Sequence, residues 1–194
     1  MTLIKNYNYS ESDITFLTVD NANGQYIWIG FAQDASGNCA LKKVSANNPL
    51  QTYFSIDIAT TEIKKGYVFS SYIYLALDDA SLIGKRYSLL NPLTVYDSFS
   101  LPAGITEAPI DILVSGLNVY FLIPGSISGS YAKVCIFSLA GVFSETVNLS
   151  TVNDANTMTI DGNGDLWVAT DESPSSYVRV YQTSGGVYTY STFS

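Results

Sequence analysis

The chain contains no histidine, and charged side chains make up only 13% of its 194 residues. Without imidazole it lacks the commonest general base, the triads built on it and the usual zinc ligand. Basic residues are scarce too: nine Lys and Arg stand against 17 Asp and Glu, a formal charge of −8. Contact with a phosphate backbone needs a basic footprint, so no nucleic-acid partner is expected. No apolar run approaches the ~20 residues of a membrane-spanning helix. The opening segment MTLIKNYNYSES lacks the apolar stretch of a signal peptide, and no membrane insertion is expected. There are only two cysteines, Cys39 and Cys135, far apart in the chain. Two free core thiols are expected rather than a disulfide, and they define no redox compartment.

What is present is apolar and aromatic. Hydrophobic residues reach 47%, and Tyr alone occurs 15 times. With charge well below the ~25% usual for soluble domains, the surface must be built from Ser, Thr, Asn and Tyr. This suits a soluble extracellular or virion-surface protein.

Helical periodicity is absent. Period-2 alternation between Gly, Asn, Ser and Pro turns runs throughout, so the chain reads as all-β. Four segments align: YIWIGF (26–31), YIYLAL (72–77), VYFLIP (119–124) and LWVATD (166–171). Their aromatics Trp28, Tyr74, Tyr120 and Trp167 follow one another at 46, 46 and 47 residues. An apolar strand precedes each segment (ITFLTV, GYVFS, IDILV, TMTI), and two follow it. The third-strand segments are ALKKVS, KRYSLL, AKVCIFS and YVRVYQ. The fourth are TYFSIDI, VYDSFSL, VFSETVNL and VYTYSTF. Each unit is thus four short antiparallel strands in about 45 residues, too small to bury its own faces and stable only when stacked. A β-sandwich needs no such constant step.

The unit resembles a β-propeller blade, above all the NHL-type, gluconolactonase-like and two-component-regulator propellers, in which a D-x-x-G-x-[L/I]-[W/Y]-V turn introduces the second strand. IDGNGDLWVAT (160–170) carries that pattern, and VDNANGQYIWIG (19–30) carries it with one extra residue. The resemblance implies a single propeller domain with blades at residues 12–60, 61–104, 105–152 and 153–194, preceded by an extra outer strand at 1–11. An unpaired strand invites edge pairing, so residues 3–10 are expected to take part in closure or in self-association.

Propellers also imply where a ligand binds: on the face formed by the loops before the first strand and between the second and third. Every unit begins with an acid, Asp13, Glu62, Glu107 and Asp154, at steps of 49, 45 and 47 residues. The second-to-third-strand loops add Asp34, Asp78, Asp79 and Asp171. Crowded carboxylates raise one another's pKa or recruit a cation. Asp13, Glu62, Glu107, Asp154, Asp34, Asp78 and Asp171 are therefore the candidate ligand-binding residues, and solvated loops are the plainer account of them. Six of the nine bases lie on third strands: Lys42, Lys43, Lys85, Arg86, Lys133 and Arg179. Pairing with acids at the end of the preceding strand, or protection of sheet edges, is expected of them.

Asp161, Asn163 and Asp165 alternate as in a calcium loop, but Leu166 stands where the Gly of such a loop belongs. They are weak metal candidates: no metal or other cofactor is expected, and Ca2+ is the only one the pattern admits. The repeated aromatics are assigned to packing between blades. Tyr7, Tyr9, Tyr53, Tyr188 and Tyr190 are better placed for sugar contact. No catalytic residues are assigned. The function expected is a non-catalytic binding or structural module for a glycan or protein ligand. The alternatives are a propeller enzyme (a metal-dependent lactonase-like hydrolase, a lyase or a glycosidase) and a sensor or scaffold segment of a longer protein.

Overall fold

The computed structural model describes residues 13–20, 25–48, 51–60, 62–90, 94–125, 130–171, 177–184 and 186–193. Sixteen strands and no helix occur among them. The first sheet holds β1 (Ile14–Val19), β2 (Tyr26–Gln33), β3 (Asn38–Ser45) and β4 (Thr52–Ala59). The second holds β5 (Glu62–Phe69), β6 (Tyr72–Asp78), β7 (Leu82–Ser88) and β8 (Val95–Ser100). The third holds β9 (Asp111–Ser115), β10 (Asn118–Ile123), β11 (Lys133–Ser138) and β12 (Phe143–Asn148). The fourth holds β13 (Ala155–Ile160), β14 (Leu166–Thr170), β15 (Tyr177–Gln182) and β16 (Tyr188–Phe193).

Each sheet is an antiparallel meander of sequence neighbours, as the repeat predicts. The main differences lie in the second sheet. There β5 begins at Glu62, four residues before the expected segment, and carries a bulge between Ile63 and Lys65. The bulge lets polar Lys64 and Lys65 sit in the strand while Ile63 stays in the core. The extra strand expected over residues 1–11, with the pairing role of 3–10, lies outside the described residues.

Period-2 alternation gives each sheet two apolar faces, and the core is the set of joints between consecutive sheets. At the first joint, Phe16, Trp28 and Leu41 pack on Ile73, Leu75 and Tyr87. At the second, Tyr74, Ala76 and Phe99 pack on Ile112, Phe121 and Phe137. At the third, Leu113, Tyr120 and Leu122 pack on Met158, Leu166 and Val168. Among the described residues, no strand of the fourth sheet packs on the first sheet to a comparable extent.

The joints are specific in detail. The Phe16 ring lies between Gly30 and Gly66, and a Cβ on either glycine would overlap it. At the third joint, buried Asp111 occupies the position Phe16 holds at the first. Its Oδ2 accepts from Thr157 Oγ1 at 2.7 Å and from the Met158 amide at 2.9 Å, tying the third sheet to the fourth. Cys39 and Cys135 are both buried and neither is in a disulfide; they lie in two different joints.

Candidate ligand-binding sites

The alternating acids of 161–165 belong to a turn that recurs through the fold. The Gly164 amide donates to the Asp161 carbonyl at 3.1 Å, and the Asp161 amide to the Asp165 carbonyl at 3.0 Å. Gly164 sits at φ +88°, the left-handed region that closes this kind of hairpin. The β2–β3 hairpin uses the same pattern over 34–38, with Gly37 at φ +84°, and the β11–β12 and β15–β16 hairpins repeat it. The side chains follow suit. Asp161 Oδ1 accepts from the Asn163 and Asp165 amides, as Asp34 Oδ1 does from those of Ser36 and Asn38. Asp161 Oδ2 accepts from Trp167 Nε1 at 3.1 Å, and Asp165 is bound by the Arg179 guanidinium. The Trp167 hydrogen bond, with the amides behind it, holds the Asp161 carboxyl below the usual carboxylate range. Both Asp161 carboxylate oxygens and one of Asp165 are thus taken up by the turn and its neighbours.

The acids assigned to the ligand face do share one end of the sheets. The Asp13 carbonyl accepts from the Ala32 amide at 2.7 Å, and the Asp154 carbonyl from the Asp171 amide at 3.3 Å. Glu62 is the register partner of Asp78 across β5 and β6, and Lys64 bridges both carboxylates. Asp78, Asp79 and Glu107 line one cavity of 450 Å³ between the β6–β7 turn and the connection from β8 to β9. Glu107 Oε1 accepts from Ser130 Oγ at 2.6 Å. Asp79 caps its own turn, accepting from the Ser81 amide and hydroxyl and the Leu82 amide. The Ser81 amide leads in depressing its pKa. Among the described residues, no three carboxylates or thiols come close enough to share one ion.

At the other end of the sheets lies an arrangement the sequence did not announce. The repeated aromatic faces a third-strand cation across the ladder in three of four sheets. The register pairs are Trp28 with Lys43, Tyr74 with Arg86, and Trp167 with Arg179. In the third sheet Ile136 replaces the cation, and the Tyr120 hydroxyl bonds instead with that of Tyr188. The cations do not pair with acids at the end of the second strand, as the order of residues suggests. Lys43 pairs with Asp20 at 3.2 Å, Arg86 with Asp97 and Arg179 with Asp165. Register is the reason: the second-strand acids lie beyond the far end of the ladder from these bases.

The environments of the three cations differ. Arg86 is buried among the rings of Tyr72, Tyr74 and Tyr96. Burial opposes its charge, but the Tyr74 hydroxyl and the Asp97 carboxylate outweigh that and raise its pKa. Lys43 lies 4.4 Å from the Tyr26 ring centre and 5.3 Å from that of Trp28, in a recess of 160 Å³. Tyr26, Tyr53 and Phe54 wall this recess with Leu89 and Leu90 of the second sheet. Tyr26 and Tyr53 meet edge to face at 4.9 Å. Among the described residues, the buried Trp28 indole N–H meets no acceptor.

Of the tyrosines considered for sugar contact, Tyr53 is half exposed in this recess. Tyr188 is taken up by Asn118 and Tyr120, and Tyr190 bonds Ser150 at 2.6 Å. Tyr7 and Tyr9 lie outside the described residues.

No known protein family matches the chain, and no curated protein matches it. Solved structures do. The chain is similar to a streptogramin B lyase at 14% identity and TM-score 0.65, covering 95% of this chain and 56% of that one. It is similar to a 6-phosphogluconolactonase-like protein from Bacteroides uniformis at 14% identity and TM-score 0.63, covering 91% and 53%. It is also similar to the computationally designed Ika8 protein at 12% identity and TM-score 0.63, covering 87% and 45%. The neighbours are propellers, and the chain has the β-propeller fold. It spans about half the length of these structures. At such identity the likeness is one of fold alone and carries neither lyase nor lactonase chemistry with it. Among the described residues no helix is long and apolar enough to cross a membrane.

Proposed function

We propose that this chain is a non-catalytic recognition module, and that it binds a glycan through the recess around Lys43. The observation that carries the reading is the meeting of aromatic walls and a fixed cation in one recess: Tyr26, Trp28 and Tyr53 around an ammonium already oriented by Asp20. A pyranose ring has an apolar C–H face that stacks on tyrosine and a hydroxyl rim that takes hydrogen bonds. A recess of 160 Å³ suits one ring rather than a drug-sized ligand, which fills ~300–1,000 Å³. Tyr53 and Lys43 are the residues whose removal should cost affinity without touching the core. Calorimetry with a panel of neutral, N-acetylated and acidic monosaccharides tests the reading. Binding lost in Tyr53→Ala and weakened in Lys43→Met supports it. No heat from any sugar at millimolar concentration ends it.

A further inference from the structure

The aromatic cluster around Lys43 has a counterpart in the second sheet. Tyr26 stands two residues before Trp28 on β2, and Tyr72 two before Tyr74 on β6; their register partners are Ser45 and Ser88. Both sheets also carry a bulge at the same place on the fourth strand. Lys43 pairs with Phe54 and Val44 with Thr52, which leaves Tyr53 as the extra residue. Arg86 pairs with Asp97 and Tyr87 with Val95, which leaves Tyr96 as the extra residue. A bulge re-aims the side chain it carries. Tyr53 meets Tyr26 edge to face at 4.9 Å, and Tyr96 meets Tyr72 edge to face at 5.1 Å. Both bulged tyrosines stay open to solvent, at 49% and 58% exposure.

The fold does not require a tyrosine there. The third sheet has the same bulge, but Ser144 occupies it, with Ile136 in place of the cation and Asn118 in place of the first tyrosine. The fourth sheet pairs β15 with β16 without a shift. The full cluster is therefore particular to two neighbouring sheets.

The two copies differ at the centre. Lys43 leaves a recess of 160 Å³ open in the first. In the second the Arg86 guanidinium fills the space, 4.5 Å from the Tyr72 ring centre and 4.8 Å from that of Tyr96. What remains there is the open side of Tyr96, a stacking surface backed by a fixed cation. Leu90 connects the copies. It walls the first recess and is 73% exposed, yet it extends from β7, the strand that pairs with Tyr96's own β8.

We propose that the ligand is a linear oligosaccharide, with one ring in the Lys43 recess and a further ring stacked on Tyr96. This rests on the glycan reading of the recess and extends it. An exposed tyrosine offers a sugar an apolar face at little entropic cost. Arg86 is already paired with Asp97, so the second contact selects by stacking rather than by charge. Two contacts on one molecule reinforce each other, because the second forms within a complex already made.

Calorimetry with matched pairs tests this: glucose against cellohexaose, N-acetylglucosamine against chitohexaose, and galacturonic acid against its linear hexamer. In at least one pair the hexamer should bind about tenfold tighter or better, more than its six rings contribute by number alone. Tyr96→Ala, with an unchanged circular dichroism spectrum, should abolish that gain. Tyr96→Phe keeps the stacking ring and should keep the gain. A hexamer that gains nothing over its monomer overturns the proposal, and so does a gain that survives Tyr96→Ala. In both cases monomer binding that depends on Tyr53 leaves the recess reading intact. Silence from monomers and hexamers alike overturns both.

Discussion

The ring of Phe16, on β1, lies against the backbone of Gly66, on β5, where a Cβ would overlap it. This contact fastens the first sheet to the second, because Phe16 enters the space the missing side chain leaves. Gly66→Ala forces the ring out of a closed joint, and overpacking of that kind costs ~1–3 kcal/mol. Phe16→Ala empties the same space, with a cost of ~3–5 kcal/mol for a buried Phe. Denaturant melts should show both losses. A Gly66→Ala protein as stable as wild type would mean that the sheets slide past one another freely.

Arg86 is the most buried cation among the described ion pairs, and its partner is Asp97. Deleting the acid strands a guanidinium among three tyrosines. Loss of one partner of a fully buried pair costs ~3–5 kcal/mol. Asp97 is partly exposed, so Asp97→Asn is expected nearer ~1–2 kcal/mol after solvent screening. In a double-mutant cycle, Arg86→Met combined with Asp97→Asn should lose less than the sum of the single changes. Additive losses would contradict a direct coupling.

The tripling of this cation–aromatic pairing shows what the sequence makes legible. The 46- and 47-residue steps of Trp28, Tyr74, Tyr120 and Trp167 mark four blades and an inter-sheet packing role, which the first three fill. The common end of Asp13, Glu62, Glu107 and Asp154 follows from strand order alone. The partners of Lys43, Arg86 and Arg179 do not, because one residue of register decides which acid lies beside them. Nor does the recess, since Leu89 and Leu90 come from a different sheet than Tyr26 and Tyr53. The calcium-like spacing of Asp161, Asn163 and Asp165 misleads, because a capped glycine turn uses the same residue types.

Acid should loosen that turn. The Asp161 carboxyl is depressed in the folded protein, so its contribution is complete above its unfolded pKa of ~3.9 and is lost as pH falls through the lower folded value. Asp79 behaves in the same sense at the β6–β7 turn. Stability should therefore decline below about pH 4, and Asp161→Asn should flatten part of that decline. An identical acid limb in the variant would show that Asp161 is not stabilised by its turn.

Neither thiol should react in the native state. Burial pushes Cys135 up to about 11 and raises Cys39 as well, so little thiolate forms near neutral pH. A disulfide-exchange reagent should label both only after unfolding. Fast labelling of either in native buffer would contradict the closed joints around them.

The central claim is that the recess around Lys43 holds a sugar, and Trp28 reports on it directly. The chain has two tryptophans, so Trp167→Phe leaves Trp28 as the sole indole emitter. Titrating that variant with the sugars should give a saturable change in Trp28 emission with at least one of them, and the change should vanish when Tyr53→Ala is added. Emission that stays constant with every sugar to millimolar concentration would contradict the claim.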